Sequence, residues 1–246
     1  MYDYDYKSGK KRIKEILQSN LVVEEEEIPS DNDFTFSNGY YHWVTAIFVD
    51  IRDSSTIFSK DNKEVVSKII RSFTSEIIEI LRFGDNLREI GIRGDCVYAI
   101  YKSPSKYDIY ELCNRTYNIN SFMKMLNKLL DQNGFANISV GIGIASAQEL
   151  VVKAGRKDTG INSKVWIGDA VTKASNLSSL GNRNGSRTIV MSDLTYSNMI
   201  DLLVGSSGEQ AKSWFKSNFS WTYGTYYDAD VIKIDFDNWI DSGMPD

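Results

Sequence analysis

The sequence predicts an α+β fold: a mostly antiparallel sheet covered by helices. Three observations carry that reading. Short apolar runs rich in β-branched residues alternate along the chain with segments of helical period. Two of the runs are separated only by Gly94-Asp95, which makes them a hairpin. Near the end, the aromatic-rich stretch SWTYGTYYDADVIKIDF reads as a closing antiparallel pair.

In chain order, residues 7–19 place Ile13, Ile16 and Leu17 at helical spacing, and the acidic run 24–27 and Pro29 follow, so residues 1–42 read as a helical arm and linker. From Trp43 the run VTAIFVDI is a buried strand ending near Asp50. A helix spans about 62–83, with Val65, Val66, Ile69, Ile70, Phe73, Ile77, Ile78 and Leu81 on its apolar face, and Asp61 just before it is expected on the surface. Strands 87–93 and 96–101 form the hairpin, and a helix over 107–132 stops at Asn133-Gly134. ISVGIGIA and ELVVKAG read as a strand pair, 165–167 as a short strand, 169–180 as a helix, and 187–191 as a strand with a helix after Ser192. We take 43–200 as one domain and 201–246 as an extension that completes it.

Composition removes several function classes. The 246 residues carry 28 Lys and Arg against 33 Asp and Glu, a net charge of −5, with no basic stripe, so a general nucleic-acid binder is not expected. With His42 the only histidine, a His-rich zinc site cannot be built, and triad hydrolysis would rest on that one residue. Cys96 and Cys113 lack CxxC spacing and no secretory apolar segment precedes them, which fits a reduced, cytoplasmic compartment. No apolar run is long enough to span a membrane, so no membrane partner is expected.

The chemistry therefore falls to carboxylates, cations, hydroxyls and metal. Asp50 ends one apolar strand and Asp95 sits at the hairpin turn, both directly beside apolar strands where a carboxylate needs a partner. A divalent ion such as Mg²⁺ or Mn²⁺ is the natural one, because it takes carboxylate oxygens and completes its shell with substrate phosphates.

Four blocks, VTAIFVDIRDSSTIF, LREIGIRGDCVYAIY, ISVGIGIASAQELVVKAG and KVWIGDAVTKASNLSSLGNR, occur in the order and spacing of a class III nucleotidyl cyclase catalytic domain, and the chain resembles that family over about 43–192. The KAGR and WIGDAV blocks look most like the bacterial pyrimidine cyclases of the Pycsar antiphage systems. The resemblance implies a ferredoxin-like cyclase fold and two metal ions held by Asp50 and Asp95, with the backbone carbonyl of Ile51 completing one shell. It also implies that the Asp53-Ser54-Ser55 helix start offers N–H groups to the β- and γ-phosphates. The family's head-to-tail dimers share two sites, so a homodimer is implied as well. The transition-state Asn and Arg of the family fall on Thr172 and Asn176, a departure that leaves Lys173, Arg183 or Arg187 to supply the positive charge. The purine-reading positions fall on Gly91 and Val165, neither of which offers a polar side chain, and Arg93 on the same strand face as Gly91 could reach a smaller ring's carbonyl.

The resemblance thus implies a uridylate cyclase, using UTP in preference to CTP and making a cyclic messenger for a separate effector protein in antiphage defence. An adenylate cyclase, or an inactive cyclase-homology module for dimerisation or sensing, are the alternatives. Keeping both Asp50 and Asp95 speaks against the inactive module.

Overall fold

The computed structural model describes residues 3–25, 27–30, 33–55, 62–157 and 159–245; Asp61 and Glu26 lie outside them. The chain divides into two compact units, residues 43–149 with 168–246, and residues 1–42 with 150–167. Among the described residues no helix is long and apolar enough to cross a membrane.

Seven strands follow the order β3-β4-β2-β5-β7-β9-β8, and the larger unit holds all of them except the first residues of β2 and the last of β5. They are β2 (Asn38–Ile51), β3 (Leu87–Arg93), β4 (Cys96–Lys102), β5 (Val140–Gly155), β7 (Ile189–Ser192), β8 (Phe215–Ser220) and β9 (Gly224–Ala229). β2, β3 and β4 pair antiparallel, as do β7, β8 and β9, whereas β5 and β7 are parallel. One face is covered by α2 (Lys63–Leu81), α3 (Lys106–Gln132) and α5 (Asp193–Ser207). Their Ile69, Phe73, Ile77, Tyr117, Phe122, Leu126, Met199 and Leu203 join Ile47, Val49, Val97, Ala99, Ile142, Ile144 and Met191 in one core. The helices start where local chemistry permits. The Asn62 side chain accepts the Glu64 N–H, Ser105 and Asp108 form a capping box, and the Ser192 hydroxyl accepts the Thr195 N–H.

The alternation of β5 explains its Gly-x-Gly motif. Val140, Ile142 and Ile144 face the core, so Gly141 and Gly143 face the other way. There α4 (Asp169–Ser178) packs so closely that a Cβ at Gly143 would strike the Ala174 carbonyl and the Ser178 backbone. The rest of that second face, on β2, β4 and β3, carries Phe48 and Asp50, Cys96 and Tyr98, and Gly91 and Arg93.

In the smaller unit α1 (Tyr6–Gln18) is capped by Asp5, β1 (Val22–Glu24) runs parallel to the start of β2, and β6 (Asn162–Gly168) pairs with β5. Phe34 packs edge-on against Tyr40 at 5.0 Å, with Ile28 also buried.

Two element expectations need correction. ISVGIGIA and ELVVKAG are one continuous strand, within which Glu149 is buried and bonded at the start of α4. The closing hairpin lies earlier than expected, at 215–229, and the alternating IKIDF stretch leads into α6 (Ile234–Asp241). That helix is held by Asp237, which accepts from Ser121 and Lys124 of α3.

Candidate active site

Asp50 lies one residue from the end of β2 and pairs in register with Cys96, the first residue of β4. Cys96 in turn pairs with Arg93 across the Gly94-Asp95 turn. The hairpin thereby brings Asp95 to the corner occupied by Asp50, close enough that its charge raises the Asp50 pKa. Burial is the larger cause of that rise, opposed by the Arg52 guanidinium, and the net position is above the ordinary carboxylate value. Burial beside Asp50 also pushes the Cys96 thiol up to about 12, which keeps it protonated and unreactive.

Arg52 is the residue that sequence reasoning missed here. Only 3% exposed, its guanidinium donates to Asp50 Oδ2 at 2.6 Å, to the Asp50 carbonyl at 3.0 and 3.3 Å, and to the Ser179 carbonyl just past α4 at 3.0 Å. A Cβ at Gly141 would sit 3.0 Å from its Nη2, so the first glycine of the Gly-x-Gly motif leaves room for this cation. The signal was the alternation in Asp-Ile-Arg-Asp: Ile51 turns into the core, so Arg52 returns to the face of Asp50.

Asp53, with φ of 51°, pairs through its carboxylate with Arg183 at 3.4 Å, and Ser54 and Ser55 begin a helical turn. Arg183 is also near enough to lower the Asp50 pKa, so of the candidate cations it joins the aspartates directly. Lys173 is engaged by Asp169 at 2.8 Å, four residues back on α4, and Thr172 and Asn176 are exposed on that helix. Arg187 is committed to the C-terminal hairpin through the Trp214 carbonyl at 2.8 Å and Asp228 at 3.9 Å, which removes it as a site cation. Val165 lies on β6 in the smaller unit, 40% exposed.

The donor set suits a hard divalent ion. Two carboxylates of one corner repel each other, one of them already draws a cation to itself, and oxygen donors match Mg²⁺ or Mn²⁺. Among the described residues no group of three or more His, Cys, Asp or Glu side chains could hold a metal.

Gly91 is covered by its hairpin partner. A Cβ there would lie 2.7 Å from Cζ and Oη of Tyr98, whose ring crosses the glycine, stacks on Phe48 at 5.3 Å and 15°, and donates its hydroxyl to Glu89 Oε1 at 2.8 Å. Burial, then the Glu89 bond, raise the Tyr98 hydroxyl to about 12, so it stays a neutral donor. This cluster was also missed, although a two-residue turn that pairs 93 with 96 necessarily pairs 91 with 98.

Residues 37–206 match the family model described as the adenylate and guanylate cyclase catalytic domain. The chain belongs to this family. It is 56% identical over 244 residues to a uridylate cyclase of Treponema porcinum, covering 99% of this chain and 83% of that protein. It is 29% identical over 247 residues to a uridylate cyclase of Gulbenkiania mobilis, covering 96% and 95%. Among solved structures, the adenylyl cyclase CyaB of P. aeruginosa superposes with a TM-score of 0.62 at 20% identity over 78% of this chain and 95% of that one. A class III adenylyl cyclase-like ATP-binding protein from Pseudomonas aeruginosa gives 0.68 at 12% identity over 97% and 49%. These neighbours establish the class III cyclase fold, an α+β sheet with helices. Family membership makes the chain a nucleotidyl cyclase by its catalytic domain, and class III cyclases work with divalent metal ions.

Proposed function

We propose that this chain is a uridylate cyclase, converting UTP to 3′,5′-cyclic UMP and pyrophosphate at Asp50 and Asp95. The observation that carries the reading is the meeting of these two carboxylates at the end of β2 and the β3–β4 turn, in a chain 56% identical to a uridylate cyclase. Asp50, Asp95 and the Ile51 carbonyl would hold two ions, Mg²⁺ or Mn²⁺. When bound, these ions lower the pKa of the ribose 3′-hydroxyl and neutralise charge on the departing pyrophosphate. The chain's own residues position the rest. The N–H groups of Asp53, Ser54 and Ser55 bind the β- and γ-phosphates, Arg183 adds positive charge beside them, and Arg93, in the row of Asp50, reaches the nucleotide from β3. The 3′-oxygen attacks the α-phosphorus, the bond to the β-phosphate's bridging oxygen breaks, and the hydroxyl proton leaves to solvent.

Residues 43–200 with the 201–246 extension act as one catalytic domain, and two copies associate head to tail. Thr172, Lys173, Asn176 and Val165 of one copy then complete the site of the other. The chain acts in the cytoplasm, and its product serves as a messenger for a separate cyclic-nucleotide-binding effector in antiphage defence, in keeping with the Pycsar resemblance.

The test is UTP turnover with Mn²⁺ by wild type, Asp50→Ala and Asp95→Ala. Wild type should release cyclic UMP and pyrophosphate in equal amounts, and each variant should lose at least about a thousandfold while keeping its circular-dichroism spectrum. An active Asp95→Ala enzyme would remove the two-carboxylate assignment.

A further inference from the structure

The second face of the sheet is laid out in rows. Arg93, Cys96 and Asp50 form one row across β3, β4 and β2, and Gly91, Tyr98 and Phe48 form the next, one two-residue step or roughly 7 Å farther along the strands. Glu89 follows Gly91 on the same face of β3. A nucleotide whose phosphates are held at Asp50 therefore has this second row within reach of its base. What meets it there is one flat side chain with a polar tip. Tyr98 is wedged between the buried Phe48 ring and the bare backbone of Gly91, and its hydroxyl is fixed on the Glu89 carboxylate. The wedge sets how much room a base has, and the tip pairs one donor with one acceptor.

We propose that Tyr98 and Glu89 read the base: the Tyr98 ring occupies the space that a purine's second ring needs, and the hydroxyl–carboxylate pair binds the uracil edge. This rests on the uridylate cyclase reading above. In the bound state the Tyr98 hydroxyl turns from Glu89 to donate to uracil O4, and Glu89 accepts the N3–H that this leaves opposite it. Cytosine in the same register presents its N3 lone pair to the carboxylate and an amino group to the hydroxyl, so neither bond forms as for uracil. A fixed polar pair that matches one base and is left unpaired by another discriminates more strongly than shape alone. Arg93 sits in the row of Asp50, one step nearer the phosphates, and so contributes to binding without distinguishing the bases.

The experiment measures kcat/KM for UTP, CTP and ATP, together with inhibition by inorganic triphosphate, on wild type, Tyr98→Phe, Tyr98→Ala and Glu89→Gln. Tyr98→Phe keeps the wedge and should lose about tenfold on UTP with ATP still excluded. Tyr98→Ala frees the space over Gly91 and should lower the UTP-to-ATP ratio at least about tenfold, and Glu89→Gln, which offers a donor in place of a pure acceptor, should lower the UTP-to-CTP ratio about tenfold. Inhibition by triphosphate should be unchanged throughout, since the phosphate row is untouched. Should Tyr98→Ala not fold, the two conservative variants decide. Wild-type ratios in Tyr98→Phe and Glu89→Gln, from an enzyme that does make cyclic UMP, would overturn the assignment of this pair alone. A wild type that makes no cyclic UMP would overturn the parent reading and this one together.

Discussion

Arg52 gives Asp50 a cation of its own before any metal arrives. A charged side chain only 3% exposed is stable because each direction of its fork is used, by Asp50 Oδ2, by the Asp50 carbonyl and by the Ser179 carbonyl. Under the proposed metal assignment, an incoming ion shares or takes over the carboxylate that Arg52 holds. Replacing Arg52 by Met should therefore act in opposite senses on the two states. The metal-free protein loses up to about 3 kcal/mol, because a buried pair loses one partner while Asp50 keeps some contact with water. The rise in melting temperature on adding Mn²⁺ becomes larger than in wild type, because the ion no longer competes with the guanidinium. Thermal melts with and without Mn²⁺ measure both, and an unchanged Mn²⁺ response would show that Arg52 and the metal do not contend for Asp50.

At the scale of elements, the start of α4 is fastened by a side chain from another strand. The helix follows Gly168, which has no side chain to cap it, and Glu149 of β5 accepts the N–H groups of Ala170 and Val171 instead. Glu149 is fully buried, its Oε2 has no hydrogen-bond partner among the described residues, and burial raises its pKa above the ordinary glutamate value. A carboxyl whose pKa is higher folded than unfolded holds its proton better in the native state. Its share of stability is thus present at low pH and is lost as pH rises from the ordinary glutamate value through the raised one. Glu149→Gln, which keeps an acceptor and cannot ionise, should gain on wild type as pH rises, so the difference in melting temperature, variant minus wild type, is larger at pH 8 than at pH 4.5. A difference independent of pH would mean that folding does not raise the Glu149 pKa. The same residue shows where sequence reading stops. Apolar runs and turn glycines located nearly every strand and helix, because burial and turn chemistry are written locally. The single strand β5 read as two because the groups that satisfy Glu149 within it, the N–H groups of α4, lie some twenty residues away. The IKIDF stretch alternated like a strand, yet Asp237 is tied to Ser121 and Lys124, more than a hundred residues earlier. Asp50 and Asp95 were legible, each ending an apolar run. Arg52 and Tyr98 were not, since their roles depend on which face of the sheet lies open.

Across the whole molecule, the larger unit divides its labour between the two faces of one sheet. Helices α2, α3 and α5 bury one face in the core, and α4 packs on β5 and β7 on the other, so Asp50, Arg93, Tyr98 and Glu89 are presented together over β2, β3 and β4. That arrangement accounts for a catalytic domain with a single histidine. The chemistry needs oxygen donors, hydrogen-bond donors and a base-sized wall, and the sheet supplies all three from β2, β3 and β4. An acidic chain, net −5, with Arg52 and Arg183 beside Asp50, fits a small anionic substrate better than a polymer of phosphates. The most direct test of the central claim is a competition in which wild-type protein meets ATP, GTP, CTP and UTP at equal concentration with Mn²⁺ and the cyclic products are identified by mass. Cyclic UMP should be the main product, at least about tenfold over each of the others. A product dominated by cyclic AMP or cyclic GMP, or no cyclic nucleotide at all, would contradict the account.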